Sequence, residues 1–339
     1  KTLHKIDKKV LEYSPSNGYE RLRIKYSNFF RDKYHVNLNP SEILITCGAS
    51  EALLFSFFSI LDEGDEIIAT DPIYANYIGF ANAGGINLVS VTTNIDNGFA
   101  LPDMETFEKA ITPKTKLIMI STPCNPTGSV YNKEELKALA EVIAKHDDLY
   151  VISDEIYEHI NFIGGHESFA QFDFIRDRII TINGISKGFA MTGWRGGIMA
   201  APKWIAQACD KMQGQFTSAP SSITQKAMHK AMELDYDTYI KPMRDAFLKR
   251  RNLVLELMKN IPGLKTNVPQ GAFYVYPEVS YYFGKKYNEH TINNATDLSL
   301  FLLDVAYVAL VPGAAFGEDR YIRFSYATDE ENLKEALKR

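Results

Sequence analysis

The sequence predicts an α/β fold: a mostly parallel central sheet with helices on both faces, followed by a smaller α+β domain at the C-terminal end. Three observations carry that expectation. Short β-branched runs alternate with amphipathic stretches over most of the chain, polar or permissive residues collect just after each run, and the rhythm changes beyond the "NIPG" of residues 260–263.

Taken in order, "EILIT" precedes "SEALLFSFFSIL", "DEIIAT" leads to "NLVSV" and "METFEKAI", and "KLIMIS" precedes "KEELKALAEVIAKH"; "LYVIS", "IITIN" and "GIMAA" complete the series. Apolar β-branched runs spaced by stretches of helical period are the pattern of βαβ units. From about Lys203 to Asn260 the pattern is helical, and Pro262 and Gly263 stop it. Strands are expected near "GAFYVYP", "VALVP" and "YIRFSYA", with "YYFGKKYNEHTINNATD" as a surface loop. A closing helix, "DEENLKEALKR", is opened by the capping-box-like "TDEE". The expected units are therefore 1–262 and 263–339.

With 339 residues, 45% hydrophobic and 23% charged, the chain is long enough for a sizeable core, and its composition excludes global disorder. A net charge of −5 with no compensating lysine and arginine cluster excludes a general nucleic-acid binder. Cys47, Cys124 and Cys209 are odd in number, far apart and without a CxxC pair or histidine cluster. Neither a disulfide framework nor a metal site is expected, and a reducing cytoplasm fits. The longest apolar runs are too short and glycine-rich to cross a bilayer, and Lys1 opens no signal-like segment, so no membrane partner is expected.

Ligands of such folds bind at the carboxyl ends of the strands. Lys187, in the "NGISKGFAMTGWR" of residues 183–195, stands among small uncharged side chains. An ammonium there is poorly solvated, so its pKa should fall and the free amine become a nucleophile able to form a Schiff base with a carbonyl. Arg195 and the backbone amides of Gly48, Ala49 and Ser50, at the start of the helix after the first run, could hold a phosphate. A phosphate-bearing aldehyde would suit both. Asp154, just after "LYVIS", could keep a buried ring nitrogen protonated and make the ring an electron sink. Tyr157, expected one helical turn further on, and Asn125 of "NPTG" could donate to a ring hydroxyl, while Tyr74 offers a stacking face.

In order and spacing, "YSPSNGYERLR", "GASEAL", "NPTG", "SDEIYEH", "SKGFAMTGWRGG" and "YIRFSYATDEENL" resemble the fold-type-I, pyridoxal-phosphate-dependent class I aminotransferases of the aspartate aminotransferase branch. The resemblance runs from Tyr13 to the C-terminal end. It implies pyridoxal 5'-phosphate carried by Lys187 as an internal aldimine and paired with Asp154. Asn125 and Tyr157 would contact the ring hydroxyl oxygen and Tyr74 would stack on the ring. Ala49, Ser50 and Arg195 would hold the phosphate, and Arg323, with Asn125, the substrate carboxylate. Tyr13 would reach the neighbouring subunit's phosphate, which implies a homodimer with shared active sites. The implied activity is ping-pong transfer of an amino group between an amino acid and a 2-oxo acid, with aspartate and 2-oxoglutarate first in line. On this reading 1–262 is a cofactor-binding domain and 263–339 a substrate-closing one.

Two features depart from the family's pattern. Gly184 stands where many relatives have a serine three residues before the lysine, so one phosphate hydrogen bond is missing or falls to Ser186 or a neighbour. The family's N-terminal segment, with a glycine-containing stretch near the substrate carboxylate, would precede Lys1. Taken singly, Lys187 reads as a surface lysine, Asp154 as a helix cap, Arg323 as half of a salt bridge and "NPTG" as a turn; their joint occurrence at successive strand ends favours a site. Cys124 lacks a histidine base and is expected to be a small buried thiol, while His159 and His166 are expected to be structural or solvent-facing. A pyridoxal-phosphate-dependent carbon–sulfur lyase and a non-enzymatic cofactor-sensing module are the alternatives, the second disfavoured by the lack of a DNA-binding segment.

Overall fold

The structure is a computed structural model that describes residues 12–339. The first eleven residues of the expected 1–262 unit, with the opening at Lys1, lie outside the described residues. The chain begins with α1 (Glu20–Tyr34), β1 (Ile43–Thr46), α2 (Ala49–Ile60), β2 (Glu66–Asp71), α3 (Ala75–Gly84) and β3 (Asn87–Thr92). It continues through α4 (Met104–Ala110), β4 (Thr115–Ser121), α5 (Lys133–Ala144), β5 (Tyr150–Asp154), β6 (Ile179–Gly184) and β7 (Gly197–Ala200). Three helices follow, α6 (Lys203–Phe216), α7 (Ser222–Ala231) and α8 (Lys241–Met258). The last part holds β8 (Tyr274–Val275), β9 (Lys286–Tyr287), β10 (His290–Thr291), α9 (Ala295–Ala306), β11 (Val311–Pro312), β12 (Ile322–Ser325) and α10 (Glu330–Lys338).

Strands β1 to β7 form one sheet in the order β1-β7-β6-β5-β4-β2-β3. Pairs among β2, β3, β4, β5 and β6 are parallel, whereas β7 is antiparallel to both β1 and β6. β1 and β6 therefore point the same way, and the carboxyl ends of β1 to β6 share one edge. Alternation of side chains builds the layers. On one face Ile67, Leu117, Met119, Ile152 and Ile180 meet Leu53 and Phe57 of α2, Tyr77 of α3 and Ile205 of α6. On the other, Ile68, Ile118, Ile120 and Val151 meet Phe107 of α4 and Leu136, Leu139 and Ile143 of α5. Strands covered on both faces read as continuous apolar runs, and such a run carries no sign of direction; the reversed β7 was invisible for that reason.

β11, β12 and β8 form a second, antiparallel sheet. Val254 and Met258 of α8 and Leu333 of α10 pack on its Val275 and Phe324. This is the smaller α+β part. The stretch expected to be a surface loop contains the β9–β10 hairpin. The helical region 203–260 is interrupted by Ser218, held at a φ of 65°, and by Pro220, which has no N–H to offer a continuing helix. α10 is capped by Asp329, whose side chain accepts from the backbone N–H of Asn332 at 2.8 Å; no reciprocal box forms, because the third helical position is Asn332 and not a glutamate. Among the described residues no helix is long and apolar enough to cross a membrane.

The end of β5 is tied down by Glu155, which is fully buried. Its Oε1 accepts from Ser153 Oγ at 2.9 Å, Ser168 Oγ at 3.1 Å and Phe169 N at 3.0 Å, while Oε2 meets His166 Nε2 at 3.0 Å. A carboxylate so far from water persists only when donors surround it. Glu155→Ala strips these groups of their partner and is expected to cost about 3 to 5 kcal/mol. A urea titration reads this as a lower midpoint, and Glu155→Gln, which keeps one acceptor oxygen, loses less.

Candidate active site

A cleft of about 190 Å³ opens where β1, β2, β4, β5 and β6 end. Ala49, Ser50, Tyr74, Asn125, Asp154, Tyr157, Ser186, Lys187 and Arg195 all line it, brought together from stretches up to 146 positions apart (195 − 49). Gly48 caps α2 at the same place. Arg323 reaches in from β12, and its Nη1 donates to Asn125 Oδ1 at 2.9 Å. Tyr13 is not among the lining residues; it is 89% exposed.

One end of the cleft is built for an anion. Ala49 and Ser50 form the first turn of α2, where backbone N–H groups have no intrahelical acceptor. Gly48 has a φ of 92°, and a Cβ there would run into the Arg195 guanidinium, so glycine is what lets the arginine lie against the helix start. Arg195 itself adopts a left-handed φ of 52°, with Nη1 donating to Thr192 O at 3.0 Å. A Cβ on Gly184 would sit 2.7 Å from Gly196 O and 3.2 Å from Gly197 Cα, so a serine does not fit there without moving β7. Ser186 remains as the hydroxyl beside Lys187 in the lining.

Asp154 ends β5 with only 4% of its surface exposed. Tyr77 Oη donates to its Oδ2 at 2.7 Å and Ile156 N to its Oδ1 at 3.2 Å. Burial pushes its carboxyl up to about 6, against the opposing pull of those two hydrogen bonds. Desolvation wins. Tyr77 was missed in the sequence, although a signal existed: it lies three residues after Tyr74, and the two rings meet edge-on at 5.2 Å.

Lys187 is half-buried, its Nζ 5.7 Å from the ring centre of Tyr157 and 5.6 Å from that of Phe273. Burial first, then the charges of Arg323 and Arg195, lower its pKa, and Asp154 opposes them. The direction is the one its uncharged neighbours predict; the guanidinium charges add to it. Tyr157 does not stand on a helix. The chain after Asp154 makes successive tight turns, Glu158 N to Glu155 O at 2.9 Å and Ile160 N to Tyr157 O at 2.8 Å. These turns carry Tyr157 Oη to 2.7 Å from Tyr274 Oη on β8. Arg323 lies over the Tyr274 ring at 4.5 Å and over Phe316 at 5.1 Å, and its Nε is buried with no hydrogen-bond partner among the described residues. Phe273, Tyr274 and Phe316 were not anticipated, since nothing in "GAFYVYP" or "VPGAAFG" tells an apolar residue from a site residue.

His166 pairs with Glu155, and His159 Nε2 lies 3.3 Å from Glu158; neither lines the cleft. Cys124 is buried, which pushes its thiol up. Among the described residues no group of three or more His, Cys, Asp or Glu is arranged to hold a metal ion.

The lining fits a flat heteroaromatic aldehyde bearing a phosphate. It offers an amine of lowered basicity, a buried acid short of a cationic partner, an anion seat at a helix start, phenol and amide groups on a third side, and a tyrosine ring for the face.

The family described as aminotransferase class I and II matches residues 1–339. A bifunctional aspartate aminotransferase and glutamate/aspartate-prephenate aminotransferase of Petunia hybrida is 40% identical over 331 residues, 96% of this chain and 69% of that protein. The solved aspartate aminotransferase of Thermus thermophilus with maleate superposes with a TM-score of 0.89 at 37% identity, covering 97% of this chain and 82% of that one. The aspartate aminotransferase of Rhizobium meliloti gives 0.94 at 34% identity, with 99% and 84% covered.

The raised Asp154 carboxyl has a stability consequence in the ligand-free protein. A group with a folded pKa of about 6 against an ordinary 3.8 favours folding below about pH 4 and loses that contribution as pH rises through 6. Asp154→Asn is therefore expected to be more stable than the parent at pH 8, by up to about 3 kcal/mol, with the difference vanishing below about pH 4. Denaturation of the ligand-free proteins across that range checks it; a pH-independent difference overturns the assignment.

Proposed function

The chain belongs to the class I and II aminotransferases, and on that premise we propose that it moves the amino group of aspartate to 2-oxoglutarate in a ping-pong cycle. It is an enzyme that transfers amino groups with pyridoxal 5'-phosphate. The observation that carries the residue roles is the meeting of Lys187, Asp154 and the Asn125–Arg323 pair around one cleft.

Lys187 would be the amine that binds the cofactor's aldehyde, and Asp154 would hold the proton on its ring nitrogen. Gly48, Ala49, Ser50, Ser186 and Arg195 would hold the phosphate, Tyr74 would cover the ring, and Tyr157 and Asn125 would meet the ring hydroxyl oxygen. When bound, the cofactor supplies the electron sink that makes a substrate α-hydrogen removable. The side chains do the rest. Arg323, already oriented through Nη1 by Asn125 and stacked on Tyr274, would offer its remaining guanidinium N–H groups to the substrate α-carboxylate. Fixing that carboxylate selects which bond at the α-carbon faces the ring. Lys187 Nζ, whose ammonium burial and two guanidinium groups disfavour, would take the proton and later return it.

Aspartate as donor is supported by the activities for which the Petunia and Thermus relatives are named; prephenate, named for the Petunia protein, is the second acceptor to test. The exposure of Tyr13 supports a homodimer in which that ring reaches the partner's phosphate seat. The sequence's cysteine usage supports a cytoplasmic setting. We take the boundary between large and small domains to lie at 262/263, with α8 as the connection whose Val254 and Met258 are already packed in the smaller core.

Incubation of the loaded enzyme with single amino acids tests the donor: aspartate is expected to convert the aldehyde form of the cofactor to the amine form with release of an oxo acid. Pyruvate and ammonia released from one amino acid without an acceptor would instead establish the lyase. Lys187→Ala is expected to lose both turnover and the visible imine absorbance. Arg323→Lys keeps the charge and loses the fork, so kcat/KM for aspartate should fall by about 2 to 5 kcal/mol of transition-state binding, roughly thirtyfold or more.

A further inference from the structure

Tyr157 has one proton to give, and two oxygens compete for its direction. If that proton points at Tyr274 Oη, 2.7 Å away, Tyr157 cannot donate into the cleft; if Tyr274 is the donor, Tyr157 can. Both rings are almost fully buried, so water does not decide the matter. Tyr274 stands on β8, in register with Ser325 of β12, and Arg323 of that same strand lies over its ring at 4.5 Å. The carboxylate clamp, Tyr274 and Tyr157 thus form a row from the C-terminal sheet to the end of the central one.

We infer that Tyr274 is a positioning residue that donates to Tyr157 and so commits the Tyr157 proton to the ring oxygen of the cofactor, linking the electronics of the cleft to the placement of the Arg323 strand. This rests on the proposed binding of pyridoxal phosphate at Lys187. A phenol that accepts a hydrogen bond becomes a stronger donor, by about 10 to 30% per bond. Donation to the ring oxygen would stabilise its negative charge most when Lys187 Nζ, joined to the cofactor's aldehyde carbon, carries no proton. Weakening the donation therefore makes that nitrogen easier to protonate. The other charged or titratable groups around Tyr157 are Tyr74, Asp154 and Lys187, and none of them hydrogen-bonds to its hydroxyl.

The test is the pH midpoint of the cofactor's visible absorbance in the loaded protein, measured without substrate. Tyr274→Phe keeps the ring over Arg323 and removes only the hydroxyl; the midpoint is expected to rise by about 0.3 pH unit, twofold in the protonation constant. In a Tyr157→Phe background the same substitution is expected to add nothing. 3-Fluorotyrosine at position 274, a stronger acid and donor, is expected to lower the midpoint, and this arm stands even if the phenylalanine variant folds poorly. An unchanged midpoint in Tyr274→Phe, or a shift that persists without the Tyr157 hydroxyl, overturns the inference. A parent protein with no visible imine band overturns the attachment of the cofactor at Lys187 itself, so the two failures are told apart. Tyr274→Leu, which also removes the stack on Arg323, is expected to raise KM for the amino acid, whereas Tyr274→Phe moves the midpoint and leaves KM within about twofold.

Discussion

The cleft depends on one buried carboxylate that lacks a full counter-charge. Asp154 sits at the end of β5 with two hydrogen-bond donors, and burial still outweighs them. Lys187 contributes the weakest of the pulls upon it, and no salt bridge among the described residues satisfies the acid. The structural carboxylate of Glu155 meets four partners, whereas Asp154 is given a tyrosine hydroxyl and one backbone N–H, which orient it without neutralising it; on the proposed reading a cationic ring nitrogen would complete the charge.

Around that acid the cations stand apart. Arg195 lies against the start of α2, while Arg323 comes from β12 of the second sheet and bonds to Asn125 across the junction. Their charges converge on Lys187 and lower its basicity, yet each keeps donor capacity for a ligand of its own. Two separated anion seats flanking an amine suit a phosphate at one end and a carboxylate at the other, and the fit is one of charge placement rather than cleft size.

The strand ends were legible because strands covered on both faces leave an unmistakable apolar run, and whatever follows each run lands at one edge. Lys187, Asp154, Asn125 and Tyr74 could be found that way. Tyr274 could not, and Tyr77 only through its spacing from Tyr74, since their importance lies in which oxygen they face, and that depends on the rotation of α3 and the register of β8 against β12. The turns that carry Tyr157 were misread as a helix because "SDEIYEH" has a cap-like aspartate and no glycine or proline to break a helical reading. The sequence leaves the phosphate hydrogen bond at Gly184 missing or supplied by Ser186 or a neighbour; Gly196 and Gly197 make that glycine a steric requirement of the β6–β7 pair.

The junction beneath the "NPTG" turn explains how the two seats keep their spacing. Gly128 O accepts from both Gln270 N at 2.8 Å and Gly271 N at 2.9 Å, and Asn267 Nδ2 donates to Thr127 O at 2.9 Å. A Cβ on Gly271 would come within 2.6 Å of Pro123 Cβ, so the second sheet approaches the end of β4 backbone to backbone. Asn125 stands inside this lattice of bonds and holds Arg323 by Nη1. An error of about 1 Å in the placement of a reacting group can cost about a hundredfold in rate. A carboxylate seat fastened to the same turn that lines the ring pocket avoids that error by construction, whereas a seat on a free loop would have to recover it on every encounter with substrate.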